Sequence, residues 1–161
     1  MEATIRREKL IIPTYGQGAA EELPLFSDLR INQGTRGYIY PYRMSDKLTM
    51  VKEDKAYDAI RLENDFIRVT VLPELGGRIY EGYDKVNDYN FVYKNNVIKP
   101  ALIGLCGVWV SGGIEFNYPQ HHRPTTFLPT ESAVTTAPDG TKTVWMGEVD
   151  PLYRMKGTVG I

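Results

Sequence analysis

From Tyr57 to Asn95 the sequence reads YDAIRLENDFIRVTVLPELGGRIYEGYDKVNDYNFVYKN, and its turn signals recur too often for any helix to run. Ile60 and Leu62 alternate with charged residues before the polar turn Glu63-Asn64-Asp65. Ile67, Val69 and Val71 then alternate with Arg68 and Thr70. A period of two on both sides of a short polar turn predicts a hairpin, 57–63 against 66–72, with one apolar face. Pro73 and the pair Gly76-Gly77 end the second strand. A third strand, 78–84, is expected to pair with 89–94 across the turn Lys85-Val86-Asn87-Asp88. Strand, turn and strand recur at about the ten-residue spacing of an all-β sandwich.

The rest of the chain fits the same class. Eleven tyrosines, fifteen glycines and ten prolines punctuate short runs of β-branched and aromatic residues, which is β composition. Residues 125–151 supply two more strands joined at Pro138-Asp139-Gly140, where proline and glycine suit successive turn positions. The terminal RMKGTVGI starts another alternation and is expected to be a last strand with an open edge, as in a piece of a longer protein, with a true C-terminus in a last edge strand as the alternative. Residues 1–50 read as an N-terminal arm with edge strands. These include a short strand at Lys9–Ile12 and a second before Pro41, which lacks a ladder donor. Residues 51–161 read as the sandwich proper. The fold class expected is therefore an antiparallel β-sandwich.

Charge and cysteine content exclude several functions. Nineteen basic residues face twenty acidic ones, giving a net charge of -1, so the basic footprint of a nucleic-acid or anionic-membrane binder is missing. The longest apolar run, ALIGLCGVWV at 101–110, is half a membrane span and holds two glycines. No internal disulfide can form with Cys106 as the single cysteine, and the cytoplasm is the expected compartment. An apolar run also raises a thiol pKa, so Cys106 is not expected to be reactive.

The segment GGIEFNYPQHHRPTTF, residues 112–127, concentrates the groups that can do chemistry. It places both histidines side by side between a carboxylate and an arginine. Glu115 and His122 are the expected acid and base, since a carboxylate and an imidazole can move protons near ring or glycosidic oxygens. Asn117, Tyr118, His121 and Arg123 could recognise hydroxyls, and Trp109 offers a flat apolar surface to a sugar ring. Adjacent residues of an extended segment point to opposite faces, so one histidine at most enters a given pocket. Gly112 and Gly113 allow a ligand or another backbone to come close. Arg78, at a strand start, is expected at the rim of the site, where its fork of donors could hold a hydroxyl pair. It could equally pair with Glu74 or Glu81. Glu81 is a second carboxylate of the kind a glycosidase pair needs. All these residues also suit a loop knit by its own hydrogen bonds. No HxH, HExxH or CxxC spacing occurs, so neither metal nor cofactor is expected, with calcium held by Asp and Glu as the alternative left open.

The runs LENDFIRVTVLPELGGRIYEGYDKVNDYNFVY and GLCGVWVSGGIEFNYPQHHRPTTF together resemble the galactose-mutarotase-like β-supersandwich. They are most similar to a mutarotase-like domain at the front of long bacterial proteins that continue into tetratricopeptide repeats. The resemblance spans about residues 55–161. It implies that this chain is the first half of a larger sandwich that binds a carbohydrate on a concave sheet face. In mutarotases an arginine and a histidine of the first half meet a second histidine and a general-base glutamate from later strands. Arg78 and His121 or His122 stand for the first-half residues, whereas the base would lie beyond Ile161. The adjacent histidines and the flanking NYPQ depart from the mutarotase motif, which counts against simple aldose epimerase activity. The function implied is that of a carbohydrate-active domain, glycoside hydrolase-like or mutarotase-like, with a non-catalytic binding or structural module as the alternative. The expected partners are a carbohydrate and, through open strand edges or a missing half, a further copy or segment.

Overall fold

A computed structural model describes residues 3–26, 39–104, 107–117 and 126–161. Twelve strands and one 3-10 turn account for the regular structure among them, and every named strand pairing is antiparallel. The protein is an antiparallel β-sandwich. Strands β1 (Thr4–Gln17), β4 (Leu48–Glu63), β5 (Ile67–Leu72), β6 (Arg78–Asp84) and β7 (Tyr89–Asn90) form a five-stranded sheet in the order β1-β4-β5-β6-β7. A second sheet has the order β10-β11-β12, from Glu131–Thr136, Lys142–Asp150 and Met155–Gly160. Two small ribbons complete the fold: β2 (Pro24–Phe26) with β3 (Ile39–Arg43), and β8 (Ala101–Gly104) with β9 (Gly107–Trp109).

The period-two alternation decides the layering. Ile60, Val71, Val144 and Met146 are buried together between the five-stranded and three-stranded sheets, with Leu62, Val69 and Ile79 packed against them. On the opposite face Tyr57, Ala59 and Leu72 meet Ile12, Tyr80, Ile98, Val108, Val110 and Phe127. The central strands thus bury both faces, the second under the β8–β9 ribbon and its connecting segments.

The expected β4–β5 hairpin forms, with Ile60 opposite Val71 and Glu63 opposite Arg68. Its turn is held by the Asn64 carboxamide oxygen, which accepts from the Phe66 and Ile67 amides at 2.9 Å each. The next pairing is shorter than the expected 78–84 against 89–94. Only Tyr83–Asn90 and Asp84–Tyr89 pair, because Phe91 and Val92 both donate to the single carbonyl of Gly82, and the Phe91 ring lies over that glycine. The N-terminal strand is longer than Lys9–Ile12. It continues through Pro13, whose carbonyl accepts from Ile98 on the side away from β4, so the missing proline N–H costs no ladder bond. Pro41 lies where the β2–β3 register shifts.

Candidate functional site

The turn after β5 positions the first residue of the site. Pro73 opens the 3-10 turn Pro73–Leu75, and Gly76 and Gly77 follow with φ of 71° and 69°. A Cβ on Gly76 would lie 2.3 Å from the Thr126 carbonyl oxygen, so the segment at 126 can pack directly on this turn. Arg78 emerges next and points inward, 2% exposed. It is not at a rim. Its Nε donates to the Leu75 carbonyl, Nη1 to the carbonyls of Val110 (2.7 Å) and Gly112 (2.8 Å), and Nη2 to that of Thr126 (3.2 Å). Burial pulls its pKa below the usual value, and the Glu115 carboxylate, 3.7 Å from Nη2, opposes that pull. The guanidinium ties three chain segments together.

A second glycine pair mirrors the first. Gly112 and Gly113 have φ of 85° and 74°, and a Cβ on Gly113 would meet the Ile79 carbonyl oxygen at 2.3 Å. Of the two neighbours these glycines could admit, the one at Gly113 is a backbone. Ile114 exchanges both ladder bonds with Ile79 just beyond. This bridge sets Glu115 beside Arg78. The Glu115 carboxylate accepts from the Trp109 indole N–H at 3.0 Å and remains 14% exposed. Trp109, expected as a stacking face, contributes its edge. Asn117 follows two residues later and is exposed. The expected site residues Tyr118, His121, His122 and Arg123 lie outside the described residues, as does Cys106. Arg78, Trp109, Glu115 and Asn117 are brought to one end of the sandwich.

The other carboxylates have different partners. Glu74 accepts from the Asp58 amide and pairs with Lys55, and Glu81 binds Lys94 at 2.8 Å, Arg68 at 3.2 Å and the Thr70 hydroxyl at 3.1 Å. Neither takes Arg78. Burial would raise the Glu81 pKa, but the bonds from Lys94 and Arg68 outweigh it, and the net effect is to hold Glu81 below its usual value. A carboxylate kept ionised is a poor general acid.

Sequence reasoning missed the cluster to which Glu81 belongs. Arg61 and Thr70 face each other in register, Thr70 faces Glu81, and Arg68 precedes by one alternation. The signal was present, because these are the polar positions that alternate with Ile60, Leu62, Val69 and Val71.

Taken together, the fold and this end of the sandwich define a β-sandwich domain that carries a fixed, partly exposed carboxylate backed by a buried arginine. Residues 35–161 match the family described as "Domain of unknown function (DUF5107)", and the chain belongs to that family. Its structure is similar to that of a TPR-domain containing protein from Parabacteroides distasonis ATCC 8503, with 25% sequence identity and a TM-score of 0.81. The similarity covers 98% of this chain and 27% of that one, so the chain spans about a quarter of that protein's length. Among the described residues, no helix is long and apolar enough to cross a membrane.

Proposed function

We propose that this domain binds carbohydrate as one module of a longer protein, on the first half of a galactose-mutarotase-like supersandwich. The Glu115 carboxylate is the acceptor for sugar hydroxyls, and Asn117 and His122 are further hydroxyl-binding groups in this reading. One observation carries this reading. A buried guanidinium and an indole N–H fix a carboxylate that remains partly exposed. Burying a guanidinium costs solvation that an apolar residue would not. Supporting a surface acceptor from behind is how a binding group is held ready.

The membership in DUF5107 and the similarity to a TPR-domain containing protein support the modular context. Catalysis in the manner of a glycoside hydrolase or a mutarotase needs a second acid or base facing Glu115, and the resemblance puts that group on later strands. We therefore assign binding, not turnover, to this half. A scaffold role is the second reading, favoured by the four carbonyls that Arg78 gathers.

Calorimetric titration with mono- and oligosaccharides separates the two. Glu115→Gln keeps an oxygen for the Trp109 indole and removes the charge, so the fold is expected to survive while sugar affinity falls about tenfold, as for loss of one charged hydrogen bond. His122→Ala is expected to weaken binding as well. Unchanged affinity in both variants would reject the site, and unfolding of Glu115→Gln would favour the scaffold reading.

A further inference from the structure

A pocket lies on the same face of the five-stranded sheet as Tyr57 and Ala59, where the buried side chains turn from apolar to charged. Its volume is about 290 Å³, at the small end of the range for ligand sites, roughly 300–1,000 Å³. Leu10, Ile12 and Pro13 of β1 give it one apolar wall, and Arg61, Arg68, Lys94, Glu81, Tyr80 and Asn96 line the rest. Strand register brings these groups together, since Arg61, Thr70 and Glu81 are consecutive partners across β4, β5 and β6.

The charges of this pocket do not balance internally. Arg68 and Lys94 share Glu81, and Arg61 pairs through Nη2 with Glu8 at 2.6 Å. The lining thus carries three cations and one carboxylate, and Glu8, outside it, is shared with Arg6. Donors also exceed acceptors: Arg68 gives only Nε to Glu81, Lys94 gives one of its three N–H groups, and the buried Arg61 Nε has no hydrogen-bond partner. A buried donor without an acceptor is costly, of the order of 1–3 kcal/mol, and such groups are rare in native folds. The cations are also held in place, Arg68 over the Tyr83 ring at 4.5 Å and Lys94 over that of Tyr80 at 5.8 Å.

We propose that this pocket binds a small carboxylate-bearing sugar, a uronate or related sugar acid. The spare donors of Arg68 and Lys94, both partly exposed, take the carboxylate, which neutralises the excess charge. Glu81 and Asn96 accept from and donate to ring hydroxyls, and the Leu10–Pro13 wall receives the C–H face of the ring. Glu81 disfavours a dianion such as phosphate, whose second charge would face a carboxylate. The site is separate from Glu115 and does not rest on the carbohydrate reading of that residue.

The test is titration of the protein with D-glucuronate, D-glucose and inorganic phosphate by calorimetry at low ionic strength. Glucuronate is expected to bind at least tenfold more tightly than glucose or phosphate. Arg68→Gln and Lys94→Gln are each expected to weaken glucuronate about tenfold. Asn96→Asp, outside the ion pairs, adds a negative charge to the lining and is expected to abolish binding with the thermal melt preserved, which keeps the test decisive if a cation variant fails to fold. Equal affinity for glucuronate and glucose, phosphate binding as tight as glucuronate, or glucuronate binding insensitive to Asn96→Asp would each overturn the proposal. Loss of glucuronate binding in Glu115→Gln alone would move the ligand to the other site.

Discussion

Arg78 holds its end of the sandwich together, and its removal is expected to be expensive. Arg78→Met leaves the carbonyls of Leu75, Val110, Gly112 and Thr126 without their donor and the Glu115 carboxylate without its cation. Breaking a buried charged network from one side costs about 3–5 kcal/mol, which urea unfolding would register as a large fall in midpoint. Glycines make a sharper contrast. Gly113→Ala puts a Cβ 2.3 Å from the Ile79 carbonyl at φ 74° and is expected to cost well over the roughly 1 kcal/mol of an unfavourable backbone alone. Gly140→Ala, with φ 87° and open space around it, is expected to cost about that 1 kcal/mol and no more. Equal losses in the two variants would show that close approach at Gly113 is not the constraint.

Glu81 gives the pH dependence its sign. Burial would raise its folded pKa, but Lys94 and Arg68 hold it below the usual carboxylate value. Its stabilisation is therefore fully present above the unfolded pKa and is lost as pH falls through the folded one. Glu81→Gln is expected to lower stability at neutral pH and to flatten the acid limb below 4.5. Thermal melts against pH check both, and an unchanged acid limb would mean that other carboxylates set it.

At the scale of elements, the second sheet is joined to the first through few residues. Val144 and Met146 of β11 are buried against Ile60 and Val71 of the central strands. Met146→Ala is expected to destabilise by about 2–5 kcal/mol, the range for large-to-alanine core changes, measured again by denaturant. Strands whose turns carry their own chemistry were legible in the sequence. The Asn64 turn and the Pro138-Asp139-Gly140 turn close local hairpins, β4–β5 and β10–β11, and a period-two pattern fixes their register. Elements governed by distant partners were not. The extension of β1 to Gln17 depends on β4, paired from Glu63 to Leu48, and on Ile98 at its outer edge. The early end of β7 depends on the Phe91 ring over Gly82. The candidate site shows the same division. Glu115 and Asn117 could be chosen from local composition, but Arg78's turn inward depends on carbonyls 32 to 48 residues away.

At the scale of the whole molecule, the five-stranded sheet is covered by a sheet on one face and by a ribbon with loops on the other, and both ligand proposals use what that covering leaves. Glu115 is reached at the end where Arg78 draws the segments together, and the glucuronate pocket lies where β1 ends the apolar cover. The central claim is that the Glu115 end binds sugar. Trp109 reports on it directly, because its indole N–H donates to Glu115 at 3.0 Å, while the Trp145 indole donates to Thr135 on the second sheet and serves as internal control. The two indole N–H resonances, followed by proton–nitrogen correlation spectra during titration with neutral mono- and oligosaccharides, give the most direct measurement. The account predicts a saturable shift of the Trp109 resonance, moved to about tenfold higher saccharide concentration by Glu115→Gln, with the Trp145 resonance stationary. A Trp109 resonance that stays fixed with every neutral saccharide, or one that moves only together with Trp145, would contradict it.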